Sequence, residues 1–228
     1  KVYMTKKIIA VDLDGTLLNN ESKLSDFTKE TIKKISEKGH HVIITTGRPY
    51  RMAKDFYREL ELHTPMINFN GSLTHLPGQA WAHEKCLTLD KKYLLDMVKR
   101  TEDIQADFIA GEYRKKFYIT TPNEEIADPK LFGVENFRPE NQFKPERVTK
   151  DPNCILLQTR AEDKYALADE MNRFYQHQLA INTWGGPLNI LECTPKGVNK
   201  AFALEYLLNV MNRDKKDLIA FGDEHNDT

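Results

Sequence analysis

The sequence predicts an α/β fold, a doubly wound and mainly parallel sheet interrupted by an inserted α+β domain. Three observations carry this. Short apolar, β-branched runs such as Ile8-Ile9-Ala10-Val11 are continuous rather than alternating, which marks strands covered on both faces. Segments with helical period alternate with these runs, the rhythm of a parallel sheet with crossover helices. That rhythm breaks near Leu76-Pro77-Gly78 and returns only near Gly197.

The elements read in order. After the first run comes an Asp-rich loop containing Gly15; Ser25 then offers a helix cap, and Phe27, Thr31, Ile32 and Ile35 recur at helical spacing until Gly39. His41-Val42-Ile43-Ile44 is a second strand, ending in Thr45-Thr46-Gly47-Arg48-Pro49. A second helix places Ala53, Phe56, Tyr57 and Leu60 on one stripe, and Pro65 to Phe69 reads as a third strand. From Trp81 to Pro187 the pattern is mixed. Leu89–Arg100 and Glu162–Gln176 read as helices, Lys116–Thr120, Cys154–Thr159 and Leu179–Thr183 as strands, and 122–152 is ambiguous. A helix from Gly197 to about Asn209 and a strand Leu218–Phe221 restore the first rhythm. The reading therefore assigns 1–80 and 188–228 to a discontinuous core and 81–187 to the insertion.

Composition narrows the function. Forty per cent of the 228 residues are hydrophobic, enough for a real core, and 33 basic residues balance 34 acidic ones. A net charge of −1 gives no bulk reason to expect nucleic acid or a membrane as partner. Cys86, Cys154 and Cys193 lack paired spacing, which favours a reducing compartment. With no apolar run near the ~20 residues of a membrane span and no secretory signal pattern, the expected location is the cytoplasm.

The chemistry centres on carboxylates at strand ends. Alternation along an extended chain would turn Asp12 and Asp14 toward one pocket, at the carboxyl end of a parallel strand where ligands bind. One carboxylate can attack phosphorus while the other moves the proton of the leaving oxygen. Anion against anion needs a cation, and Asp223 and Asp227, after another strand, offer the oxygen ligands that Mg²⁺ prefers. Thr46 and Gly47 offer a hydroxyl and backbone N–H groups to phosphate oxygens, and Lys200 a positive charge. Each residue has a plainer reading: a calcium loop or ordinary turn for Asp12 and Asp14, a helix cap for Thr46, a solvated face for Lys200, a turn former for Asn226. The calcium loop lacks its later ligands, and the segments fall in order at or just after successive strand ends.

Asp12-Leu13-Asp14-Gly15-Thr16, Thr46-Gly47-Arg48-Pro49, Asn70-Gly71, Gly197-Val198-Asn199-Lys200 and Gly222-Asp223-Glu224-His225-Asn226-Asp227 together resemble the haloacid dehalogenase superfamily. The place of the insertion is similar to that in its Cof-type sugar phosphatases. The resemblance implies a Rossmann-like core with the inserted block as a mobile cap. It implies Asp12 as nucleophile forming an aspartyl-phosphate and Asp14 as general acid/base. Mg²⁺ would be held by Asp12, the Asp14 backbone carbonyl and Asp223, with Asp227 behind them or an occasional ligand. Phosphate would be held by the Leu13 backbone, Thr46, Gly47, Lys200 and Asn226. Family members continue past the last motif, whereas this sequence ends at Thr228, so a longer native chain, or a core incomplete at that end, is expected.

The expected function is Mg²⁺-dependent hydrolysis of a small phosphorylated metabolite, a sugar phosphate or phosphorylated cofactor. The alternatives are a phosphomutase on sugar phosphates and a catalytically silent sugar-phosphate-binding regulator. Other features carry less. His83 and Cys86 have no second pair for zinc, and Arg114-Lys115-Lys116 reads as a solvated turn. Tyr113, Phe117 and Trp184 read as core.

Overall fold

The computed structural model describes residues 5–222. In chain order the elements are β1 (Ile8–Val11), α1 (Asp26–Glu37), β2 (His41–Ile44), α2 (Lys54–Glu59), β3 (Met66–Asn68), β4 (Leu73–His75), β5 (Lys85–Cys86), α3 (Lys91–Lys99), α4 (Thr101–Ile104), β6 (Ala106–Tyr113), β7 (Lys116–Ile119), β8 (Cys154–Thr159), α5 (Lys164–Phe174), β9 (Leu179–Thr183), β10 (Ile190–Pro195), α6 (Lys200–Val210) and β11 (Leu218–Phe221). The chain divides into two compact units, one running up to Cys86 and resuming at Asn199, the other Leu87–Val198.

In the first unit β1 lies between β11 and β2, parallel to both, with Ile8 opposite Leu218 and His41. A parallel bridge from Thr45 to Ile67 brings β3 alongside, and β3, β4 and β5 then pair antiparallel. The wholly apolar β1 follows from its two covered faces. Ile9 and Val11 pack with Ile32 of α1 and with Ala53, Tyr57 and Leu60 around α2. Ile8 and Ala10 pack with Ile67 and with Ala203, Leu204, Leu207 and Leu208 of α6. Period-2 alternation thus sends neighbouring residues into two separate cores, which is what makes the sheet doubly wound. Ser25 caps α1, its Oγ accepting from Thr28 N at 3.1 Å.

The second unit is a five-stranded antiparallel sheet in the order β7-β6-β8-β10-β9. One face packs Ile109, Ile155, Leu157, Ile181 and Leu191 against Leu94 and Met97 of α3 and Leu167, Ala168 and Met171 of α5. Elsewhere in this unit Phe132 stacks on Phe117 at 4.9 Å between ring centroids and meets Phe108 and Phe137 edge-on at 5.6 and 5.8 Å. That cluster orders the Pro-rich stretch that the sequence left ambiguous, 122–152, which holds three short 3₁₀ turns, Pro129–Phe132, Pro139–Asn141 and Pro145–Arg147. Lys164, buried at the start of α5, donates from Nζ to the carbonyls of Trp184, Gly186 and Leu188 at 2.8, 3.0 and 2.9 Å.

The sequence placed the crossings between core and insertion at 80/81 and 187/188, and here the structure differs. Residues 81–86 stay with the first unit because β5 pairs with β4. Residues 188–198 belong to the second unit because β10 sits inside its sheet, bonded to β8 on one side and β9 on the other. β10 was not foreseen as a strand: Pro187 and Pro195 bracket it, and Glu192 and Thr194 interrupt its apolar run. β6 was missed because Gly111 and Glu112 break its pattern. Gly111 makes space for Leu94 of the helix above: a Cβ would lie 2.6 Å from its Cδ2 and force that side chain to shift.

All three cysteines carry thiols rather than disulfides; burial pushes the Cys154 and Cys193 thiols up in pKa, so both stay protonated and unreactive near neutrality. Among the described residues no helix is long and apolar enough to cross a membrane.

Phe132 is fully buried and joins three other rings. Phe132→Ala is expected to destabilise the second unit by about 3–5 kcal/mol, the usual cost of an aromatic truncation in a packed core. Denaturant titration of the variant beside the parent protein measures it; a loss under 1 kcal/mol would show that this cluster does not hold the stretch.

Candidate active site

The candidate site forms at the carboxyl end of β1. The chain leaves the strand at Asp12 and enters a single wide turn, Leu13–Leu17, in which Leu17 N and Leu18 N reach back five residues to Asp12 O and Leu13 O, at 3.3 and 2.8 Å. Gly15, at φ 73°, supplies the left-handed residue this turn needs. Asp12 sits at the head of the turn with its own N–H on Phe221 O at 3.2 Å, so the adjacent strand β11 holds its backbone.

The Asp12 carboxylate is buried, and each of its oxygens accepts a hydrogen bond. Oδ1 accepts from Leu13 N at 2.8 Å, and Oδ2 accepts from Lys200 Nζ at 3.0 Å. The Lys200 and Asp12 side chains are only 5% and 6% exposed. Lys200 is the first residue of α6, where the helix dipole disfavours a cation. Asn199 caps the helix, its Oδ1 accepting from Phe202 N at 2.8 Å, and the ammonium is held by Asp12 against the dipole. A lysine kept where local electrostatics opposes it, and paired in a dry site, marks function over helix stability.

Asp14 is placed differently. The expectation that alternation turns Asp12 and Asp14 to one side assumes an extended chain, and the turn beginning at Leu13 ends that condition. Asp14 forms a bidentate pair with Arg48, Nε to Oδ2 at 2.8 Å and Nη2 to Oδ1 at 2.6 Å, and its side chain is half exposed. Each carboxylate thus has its own cation: the buried one an ammonium, the open one a guanidinium. The fork geometry fixes the plane of the Asp14 carboxylate, which a single contact would not do. Arg48 is steadied in turn by Met52 O at 3.4 Å and by the Phe56 ring 5.7 Å below its guanidinium. Arg48 has no role legible from sequence, because an arginine after a Gly turn has many possible partners and only the fold chooses Asp14.

Thr46 is fully buried at the end of the second strand. Its Oγ1 accepts from Arg48 N at 3.0 Å, a local turn bond and not the helix cap of the plainer reading, and its hydroxyl proton stays available to a ligand. Gly47 lies under the Asn70 carboxamide: a Cβ would be 3.0 Å from Asn70 Nδ2, so any side chain there would push the carboxamide aside by a few tenths of an ångström. Thr45 is a second residue the sequence passed over. Its buried Oγ1 has no hydrogen-bond partner among the described residues, and it lines the same small cleft as Asp12 and Lys200. Leu13, expected to offer its backbone N–H to phosphate, donates it here to Asp12. Asp223, Asn226 and Asp227 lie outside the described residues. Among the described residues no three of His, Cys, Asp and Glu converge as metal ligands, His83 and Cys86 included.

Fold and site together define the class, a doubly wound α/β enzyme whose charged groups gather where its central strands end. The sequence pattern of the haloacid dehalogenase-like hydrolases matches residues 9–228. The 5-amino-6-(5-phospho-D-ribitylamino)uracil phosphatase YitU of Bacillus subtilis (strain 168) is 30% identical over 225 residues, 96% of this chain and 81% of that protein. A haloacid dehalogenase-like hydrolase from Bacteroides thetaiotaomicron superposes with a TM-score of 0.80 at 20% identity, over 98% of this chain and 84% of the other. A subclass IIB sugar phosphatase of the same superfamily superposes at 0.78 and 19% identity, over 97% and 82%. At such identities the structural matches establish the fold alone; the family rests on the sequence. The chain belongs to the haloacid dehalogenase-like hydrolases and is a phosphoric monoester hydrolase.

Removing one partner of a buried pair strands the other. Lys200→Met is therefore expected to destabilise the protein by about 3–5 kcal/mol, and adding Asp12→Asn to recover a large part of that loss. Thermal or denaturant unfolding of the two variants measures it. No recovery in the double variant would show that Lys200 stabilises the fold by some route other than Asp12.

Proposed function

We propose that the protein is a Mg²⁺-dependent phosphatase that hydrolyses a small phosphomonoester through an aspartyl-phosphate on Asp12. The observation that carries this reading is the buried Asp12–Lys200 pair at the end of β1. A carboxylate held in one orientation by an ammonium and a backbone N–H is preorganised to attack, and the same ammonium is at hand for the charge that develops on phosphorus.

In this reading an Asp12 oxygen attacks phosphorus, the bond from phosphorus to the leaving oxygen breaks, and that oxygen takes a proton from Asp14. Water then gives a proton to Asp14 and attacks the same phosphorus; the Asp12–phosphorus bond breaks, releasing inorganic phosphate and restoring the Asp12 carboxylate and the protonated Asp14 carboxyl. Arg48 orients Asp14 for both transfers. Thr46, the Gly47 N–H, Lys200 and Asn226 hold the phosphoryl oxygens, joined by the Leu13 N–H when it turns from Asp12 to the bound phosphate. The donors described at this end of the sheet, the Asp12 carboxylate and neighbouring carbonyl and hydroxyl oxygens, suit a hard cation. Asp12, the Asp14 carbonyl, Asp223 and Asp227 would hold Mg²⁺. Bound there, the ion would supply the positive charge that lets a carboxylate approach a phosphate.

Residues 87–198 would act as the cap that selects the substrate. The relative named for a phosphoribitylaminouracil supports a phosphorylated sugar or sugar-like chain as the substrate class, the phosphate being the part the core residues read.

With Mg²⁺ the intact protein should release phosphate from an aryl phosphate, and a panel of phosphorylated sugars and cofactor precursors should yield a preferred substrate. Asp12→Asn is expected to lower kcat on the order of 10³-fold or more, as loss of a nucleophile does. Phosphate release undiminished in that variant would sink the assignment of Asp12.

A further inference from the structure

The candidate groups come from distant parts of the chain: the turn after β1, the loop after β2 and the start of α6. Between the last two lies a strained segment that the proposed chemistry does not use. Phe69, Asn70 and Gly71 are consecutive residues with positive φ, 52°, 53° and 112°. Two of them are not glycine, and all three are buried. Left-handed backbone at Phe69 is unfavourable, and such a run persists only where its surroundings over-determine it.

Those surroundings are the two halves of the site. On one side the segment is bonded to the 46–48 loop. Asn70 N donates to Thr46 O at 3.0 Å, and Phe69 N and Asn68 Nδ2 donate to Arg48 O at 3.3 and 3.0 Å. His75 Nε2 meets Asn68 Oδ1 at 2.7 Å and keeps that carboxamide aimed. The Asn70 carboxamide lies on Gly47 so closely that a Cβ there would be within 3.0–3.3 Å of its three terminal atoms. On the other side Gly71 abuts the entrance to α6. A Cβ on Gly71 would stand 2.3 Å from Asn199 O and 2.8 Å from Asn199 C, both main-chain atoms, and 3.4 Å from Ala203 Cβ. Asn199 caps α6, and the next residue is Lys200. With main chain on the far side, nothing at this contact can yield by turning a rotamer.

We propose that the Phe69–Asn70–Gly71 turn is a brace that sets the spacing between the Thr46-Gly47-Arg48 loop and the first turn of α6, and that Gly71 is a positioning residue acting through Lys200 on Asp12. The turn holds the loop by hydrogen bonds and holds the helix by close approach. A side chain at Gly71 displaces the Asn199 carbonyl and, with it, the ammonium that faces the nucleophile. The part of this inference that concerns turnover rests on the phosphatase reading; the part that concerns Lys200 does not.

The test is a double-mutant cycle on the intact protein, with Gly71→Ala, Lys200→Ala and both together, assayed with an aryl phosphate and Mg²⁺. Gly71→Ala is expected to lower kcat/KM by about 100-fold, as a misplacement near 1 Å can, and to cost less than about 3-fold in the Lys200→Ala background. Equal losses in both backgrounds would overturn the proposal, because a merely structural glycine adds its cost whatever stands at 200. A second readout needs no turnover. The ¹⁵N resonance of the buried Lys200 ammonium should shift or vanish in Gly71→Ala, and an unchanged resonance overturns the proposal even if the wild type proves not to be a phosphatase. Asn70→Gly decides the case in which Gly71→Ala does not fold. It tolerates positive φ and removes the carboxamide that lies on Gly47. It is expected to lower kcat/KM by about 10-fold, with little further loss when Thr46→Ala is already present. Full kcat/KM in Asn70→Gly would overturn the brace.

Discussion

The bond between Lys200 and Asp12 ties the two ends of the sequence together and gives the first unit its chemical direction. Two charges taken out of water are costly unless each satisfies the other. That condition binds everything nearby: β1 must end where α6 begins, Asn199 must cap the helix by accepting the Phe202 N–H, and the wide turn after Asp12 must bring the Leu13 N–H back onto the carboxylate. The buried apolar residues of β1 and β2 exclude water and so make the pair worth more than it would be in solution. The fold can be read as the set of packings that permits this one pair.

Much of the core was legible because its signals are local. Ile8–Val11 needs no partner to declare itself a strand buried on two faces, and the order of Asp12, Thr46 and Lys200 along the chain survives any error in element boundaries. What was not legible depends on partners far away in sequence. Arg48 could not be matched with Asp14 from spacing, because the match is made by the wide turn, and a turn with five-residue reach has no sequence period to betray it. β10 was lost for a related reason: Glu192 and Thr194 break the apolar run that a single strand would show, and only its two neighbours, β8 and β9, explain why it is extended. Thr45 and Thr46 look alike in sequence, yet their hydroxyls differ in partner.

The two carboxylates show how a short segment can hold unlike environments. Asp12 and Asp14 are two residues apart, but the first is enclosed and faces an ammonium, while the second is open and faces a planar guanidinium. Proteins that need two acids to do different work commonly separate them by surroundings rather than by distance. Here the separation is made by a backbone turn that one glycine permits.

The ammonium of Lys164 is bonded to three carbonyl oxygens of a single loop, those of Trp184, Gly186 and Leu188. Because every acceptor is main chain, the course of the loop is written by one lysine outside it and not by the side chains it carries. Those side chains can therefore be exchanged without redrawing the loop. A surface built in this way can drift in chemistry while keeping its shape.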